Sequence, residues 1–143
     1  MAIKQLSIFL ENKPGTLIEV TEALGAAHVD IRAMSIADTQ DFGILRLIVS
    51  DPEKGRDTLS ALGFVVSITQ VVAVAVSDKP GALTAVMQVL NEKEINVEYM
   101  YAFLTSKGHS AYVVLRVGDN DHASALLAEA GIELVSESDI RAL

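Results

Sequence analysis

One short phrase occurs twice in this chain. Asn12-Lys13-Pro14-Gly15-Thr16-Leu17 recurs as Asp78-Lys79-Pro80-Gly81-Ala82-Leu83, 66 positions further along a chain of 143 residues. Over residues 12–24 against 78–90, six of thirteen positions are identical. A repeat at nearly half the chain length constrains the fold more than any bulk property, because each copy must be one structural unit. The units run over 1–70 and 71–143. Domains of that size bury little core of their own, so the halves are expected to share a core or an interface.

Hydrophobic periodicity fills in the first copy. Leu6, Ile8 and Leu10 alternate with Gln5, Ser7, Phe9 and Glu11, the pattern of a strand with one buried face. Pro14-Gly15 is a turn signal. Leu17, Val20 and Leu24 then follow at helical spacing, and this helix is expected to end within residues 25–28. Residues 29–36 read as a second strand, 39–43 as a hairpin connection and 44–49 as a third strand. Asp51-Pro52 opens a second helix, with Asp51 as its cap and Pro52 in its first turn. Leu59 and Leu62 are assigned to its inner face, Gly63 ends it, and residues 65–70 form a fourth strand.

The second copy runs in the same order. A strand over 71–76 precedes the helix carrying Leu83, Val86 and Leu90. Strands over 97–104 and 111–117 flank Lys107-Gly108-His109. Asp119 caps the helix of Leu126, Leu127 and Ala130, and residues 132–136 close the unit. After the hairpin the offset between copies grows from 66 to 68, which aligns Asp51 with Asp119 and Gly63 with Gly131. A β-α-β-β-α-β order given twice predicts an α+β fold of two tandem ferredoxin-like modules, antiparallel sheets with helices on one face. No Pro, Gly or Ser run separates the copies, so a rigid pair is expected. Val71-Val72-Ala73-Val74-Ala75-Val76 is apolar on both faces and needs cover on both.

Several functions are disfavoured by composition. The formal net charge of −8 disfavours nucleic acid, whose phosphates need clustered Lys and Arg. With no cysteine, disulfides and thiolate chemistry are excluded. No stretch reads as a signal peptide or membrane span, so a cytoplasmic location without membrane contact is expected. His28, His109 and His122 have no metal-site spacing. There is no Gly-x-Ser-x-Gly or Walker-type loop, and nothing points to a cofactor or a catalytic residue.

The repeated phrase is where chemistry is concentrated. A helix N-terminus presents free N–H groups and accepts anions. Gly15 and Gly81 leave room for a ligand against the main chain, and Asn12 and Asp78 stand at the loop entrance to cap the helix or bind an amine. A carboxylate on the N–H groups and an ammonium on Asp78 would suit a free amino acid. The same phrase is also an ordinary turn into a capped helix.

Asp78-Lys79-Pro80-Gly81-Ala82-Leu83, followed by residues 90–97 ending in Ile95-Asn96-Val97, resembles the signature of the ACT domain. The first copy matches through Asn12-Lys13-Pro14-Gly15-Thr16-Leu17 and His28-Val29-Asp30-Ile31. The resemblance covers almost the whole chain as two modules. It implies a non-catalytic, allosteric regulatory protein that binds an amino-acid-type ligand at interfaces between modules. Carried over by position, the ligand-binding residues are Asn12, Lys13, Pro14, Gly15, Thr16 and Leu17 with Asp30 and Ile31. In the second copy they are Asp78, Lys79, Pro80, Gly81, Ala82 and Leu83 with Asn96 and Val97. A homodimer is expected, and the implied partner is an enzyme of amino-acid or aromatic-acid metabolism. The first copy departs from the pattern, with Asn12 for Asp and Asp30 for Asn, so the second is the better candidate. The alternative is an assembly module whose apolar sheets mediate dimerisation without a ligand.

Overall fold

The computed structural model describes residues 2–38, 40–104, 108 and 110–143, with the side chain of Asp38 also left out. Its elements are β1 (Ile3–Glu11), α1 (Thr16–Ala26), β2 (Ile31–Asp38), β3 (Phe42–Val49), α2 (Pro52–Ala61), β4 (Val65–Ser77), α3 (Ala82–Glu92), β5 (Tyr99–Ala102), β6 (Ser110–Arg116), α4 (Asn120–Glu129), β7 (Glu133–Leu134) and α5 (Glu137–Arg141). The chain divides into one compact unit of Lys4–Thr69 and a second built on Gln70–Leu143. The boundary falls within β4: its residues 65–69 lie in the first unit and 70–77 in the second.

In the first unit the strand order is β2-β3-β1, with the opening residues of β4 beside β1. β3 is antiparallel to both β2 and β1, with Leu6 opposite Leu47 and Ile8 opposite Leu45. Directly paired residues share a sheet face, so these four meet the helices together. They pack with Leu10, Val20, Leu24, Val29, Val49 and Leu59 in one buried cluster. In the second unit the order is β5-β6-β4-β7, all antiparallel. Its cluster of Val72, Val74, Val86, Leu90, Val113, Leu115, Val117, Ala123 and Leu127 repeats the first nearly position by position. Both units are therefore ferredoxin-like, each core filled from one sheet face and two helices.

The caps repeat as well. Asp51 Oδ1 accepts from the Lys54 amide at 3.1 Å, and Asp119 Oδ1 from the His122 amide at 3.0 Å. At the ends of α2 and α4 the amides of Phe64 and Ile132 return to the carbonyls of Leu59 and Leu127. Gly63 and Gly131 supply the left-handed residue these stops require, at φ +91° and +80°. α1 and α3 end the same way on His28 and Glu94, at φ 59° and 55°, without the glycine.

Several boundaries differ from the sequence reading. The inward stripe of α1 is Thr16, Val20 and Leu24, at a spacing of four, and Leu17 is 39 % exposed. Leu83 is likewise exposed in α3. Leu62 lies beyond the last turn of α2 and is exposed rather than inward-facing. Phe42 and Gly43 belong to β3 rather than to the hairpin connection. Of the two predicted hairpin loops, Thr39, Lys107 and His109 lie outside the described residues.

The C-terminal helix α5 was not anticipated. Ser136 and Asp139 form its capping box, and Ile140 is buried. Val71, Ala73 and Ala75 alternate along β4 with the core residues Val72 and Val74, and all five are buried, so both faces of this stretch are covered. Tyr112, opposite Ala75, lies on the face away from α3 and α4. Burial first, and then the charges of Asp139 and Glu133, raise its hydroxyl above its ordinary value near 10. A raised acid pKa means that the folded state resists ionisation. Stability is therefore unaffected below pH 10 and falls as pH rises beyond it. Tyr112→Phe is expected to flatten the alkaline limb of a stability profile above pH 10. An unchanged limb would place the alkaline loss elsewhere.

Candidate functional site

Each copy of the repeated phrase forms a bend and the first turn of a helix. Gly15 and Gly81 occupy the position before the helix in a left-handed conformation, φ +92° and +85°. A Cβ built on either meets nothing within 4 Å. The backbone angle requires these glycines, and the space beside them is open. Neither helix has a side-chain cap. Asn12 is committed elsewhere: its amide donates to the Asp41 carbonyl at 2.8 Å and its Nδ2 to the Gln40 carbonyl at 3.3 Å. Asp78 makes no cap either and is exposed. No side chain therefore takes the first-turn amides at the positive end of either helix dipole, although the Ala82 amide donates to the Lys79 carbonyl at 3.3 Å.

The exposed members of the phrase are Asn12, Lys13, Pro14, Gly15 and Leu17, and Asp78, Lys79, Pro80, Gly81 and Leu83. Ala82 is half-buried and Thr16 is buried. Lys13 Nζ lies 3.1 Å from Glu11 Oε2. Thr16 is 8 % exposed, and its Oγ1 has no hydrogen-bond partner among the described residues.

Beside each helix start lies a pocket of about 310 Å³. The first is lined by residues 9–11, Lys13, Thr16, Glu19, Phe42 and residues 62–65. The second is lined by residues 75–77, Lys79, Ala82, Ala85, Ser110 and residues 131–133. At offsets of 66 and 68 the two sets correspond at every position but Leu62, so this pocket is a feature of the module. Of the residues expected to bind ligand, it gathers only Lys13 and Thr16 in the first copy and Lys79 and Ala82 in the second. The sequence reading missed its walls: Phe9 was treated as an outward strand residue, Phe42 as loop and Leu62 as core. The repeat offset itself could have found them.

Asn12 and Leu17 join Lys13 and Thr16 in lining a smaller cavity of about 50 Å³. Asp30, Ile31, Asn96 and Val97 stand elsewhere. Asp30 and Ile31 follow the far end of α1, and Asn96 and Val97 follow the far end of α3. An eleven-residue helix separates each pair from the helix start of its own module, about 16 Å at 1.5 Å per residue. Within one module the two sets cannot touch one small ligand. Asp30 is held by Arg32, with Oδ2 2.9 Å from Nη1. Asn96 lines a separate cavity with Glu98, Asp119 and His122. Arg116 lies 3.6 Å from Glu98 and donates to the Gln70 carbonyl. No cluster able to hold a metal ion occurs among the described residues, and none of their helices is long and apolar enough to cross a membrane.

Comparison with known proteins agrees with this architecture. A family described as an ACT domain pair matches residues 1–143. The chain is 43 % identical to protein BT0572 from Bacteroides thetaiotaomicron, whose crystal structure superposes with a TM-score of 0.92 over 100 % of this chain and 98 % of that one. The ligand-free regulatory subunit of aspartate kinase from Thermus thermophilus is similar at 13 % identity and a TM-score of 0.64, over 90 % of this chain and 89 % of that one. The corresponding subunit from Thermus flavus gives 12 % and 0.60, over 90 % and 92 %. At such identities the two subunits share the fold. Among curated proteins no match was found.

Proposed function

The chain belongs to the ACT domain pair family, and from that premise we propose that it is a non-catalytic regulatory protein binding an amino-acid-type ligand at its Pro-Gly helix starts. The observation that supports this most directly is the doubled, uncapped helix N-terminus behind a left-handed glycine. A carboxylate there takes up amides that no side chain satisfies. Binding transmits a signal if the ligand prefers one of two states of the protein, whether these differ in subunit association or in the hold on a partner enzyme. An enzyme handling amino acids or aromatic acids in the cytoplasm is the partner this reading favours.

Thermal denaturation with each of the twenty amino acids is the direct test. Ligand at 100-fold over Kd stabilises by about 2.7 kcal/mol, a rise in Tm on the order of 5–10 °C. Gly15→Val or Gly81→Val forces a β-branched residue into the left-handed region at about 1–2 kcal/mol and disturbs the first turn. One of these variants is expected to lose the ligand-induced rise. No rise with any amino acid at millimolar concentration would sink the proposal.

A second reading draws on exposed apolar side chains in the first unit. Phe9, Phe42, Ile44, Leu62 and Val65 are 38–69 % exposed. An assembly module would cover such residues with a second copy. Light scattering showing a dimer that no amino acid perturbs would favour it.

A further inference from the structure

We infer that the two repeat-related pockets are not equivalent, and that the first is the ligand site, built for an amino acid with a large apolar side chain, aromatic by preference. This rests on the regulatory reading above and deepens it.

The pockets share their backbone frame. Both lie beside a Pro-Gly helix start, both carry a lysine from the phrase, and both are bounded by the glycine that ends the second helix of the module. They differ in the side chains hung on that frame. Phe9 and Phe42 line the first, their rings stacked at 5.0 Å and 20°. Ala75 and Ser110 take their places in the second. The aromatic pair is half-exposed, so a second apolar group laid against it removes area from water at about 25 cal/mol per Å². The second pocket has no such wall.

The polar lining differs too. Thr16 lines the first pocket, and its hydroxyl is shielded from solvent and without a partner among the described residues. A buried, unsatisfied hydroxyl is unfavourable by about 1–3 kcal/mol, and a ligand recovers that cost when the Thr16 side chain turns to bring the hydroxyl into the pocket. Its counterpart Ala82 has nothing to satisfy. Glu11 and Glu19 line the first pocket where the second has Ser77 and Ala85, while the second carries a carboxylate of its own, Glu133, where the first has Val65. A zwitterion therefore meets in the first pocket the ion-paired Lys13 and Glu11, whose lysine must turn from Glu11 to take a carboxylate, with Glu19 for the ammonium and the two rings for the side chain. The sequence pattern alone favoured the second copy. The aromatic wall, which the second pocket lacks, reverses that order.

Amide NMR of the full chain titrated with L-phenylalanine, and separately with glycine, tests this. The expected result is that L-phenylalanine shifts the amides of residues 16–19 and 62–65, leaves residues 82–85 unmoved, and binds at least tenfold tighter than glycine. Thr16→Val keeps the shape and removes the hydroxyl, and is expected to weaken L-phenylalanine about tenfold. Phe42→Ala is expected to weaken it similarly while leaving glycine unchanged. Shifts confined to residues 82–85, or equal affinity for both ligands, overturn the assignment while amino-acid binding stands. Shifts at residues 62–65 that follow protein concentration without ligand overturn it in favour of contact between copies. Absence of any amino-acid-induced shift removes both this assignment and the regulatory reading.

Discussion

Leu47→Ala lowers the stability of the first unit by about 2–5 kcal/mol. Leu47 lies in β3, the strand flanked by β1 and β2, paired with Leu6 on one side and Met34 on the other. It is fully buried in the core cluster, and its counterpart in the second unit is the equally buried Leu115. Truncation removes three carbons and leaves a cavity that a strand bonded on both edges cannot close. Folded domains hold only about 5–15 kcal/mol in total, and a unit of this size sits towards the low end. Urea denaturation is expected to show a lower midpoint with the slope preserved. Leu17→Ala is the internal control. It makes the same chemical change at a 39 % exposed position and is expected to shift stability by about 1 kcal/mol or less. Equal losses at the two sites would mean that Leu17 is buried against something in solution.

That contrast also shows what the sequence made legible. Period-two alternation identified Leu6, Ile8 and Leu10, and the structure buries all three. Asp51, Asp119, Gly63 and Gly131 were readable because caps and left-handed stops demand particular residue types. The helix faces were less legible. Leu17 and Thr16 are adjacent, and hydrophobicity alone chooses the leucine, whereas the turn set by Gly15 points the threonine inward. Leu62 misled for a similar reason: helical spacing was extended past the turn that ends the helix. The pocket was harder still. Its walls come from β1, the start of β3 and the entry to β4, segments far apart in sequence that no single motif joins. The phrase itself was more legible: Asn12, Lys13, Thr16 and Leu17 line one small cavity, although the sequence does not say which side chains of other strands join them. Comparing the two copies supplies part of that information, because substitutions between them report on shared surroundings.

Gly55 shows the same logic inside the core, and replacing it is the second large effect. Gly55→Leu is expected to destabilise the first unit by about 3 kcal/mol or more. Gly55 is buried in α2, and a Cβ there would stand 3.0 Å from Leu6 Cδ1, 3.5 Å from Val49 Cγ2 and 3.6 Å from Leu24 Cδ2. The first added carbon already presses on the sheet, and three more have nowhere to go without moving the helix. At the corresponding position of the second unit stands Ala123, buried at 1 % exposure. The neighbours there are Val72 for Leu6, Val117 for Val49 and Leu90 for Leu24. One methyl added on the helix is matched by one carbon removed from the strand, so the two cores keep a similar volume with different partners. This yields a double-mutant cycle. Leu6→Val alone opens a small cavity and is expected to cost about 1 kcal/mol. Gly55→Ala alone gains up to about 1 kcal/mol of helix propensity but must displace Leu6. Together they reproduce the pair found in the second unit, and a favourable coupling of about 0.5–3 kcal/mol is expected between them. Strict additivity in urea denaturation would show that helix and strand do not meet at this point as the repeat implies.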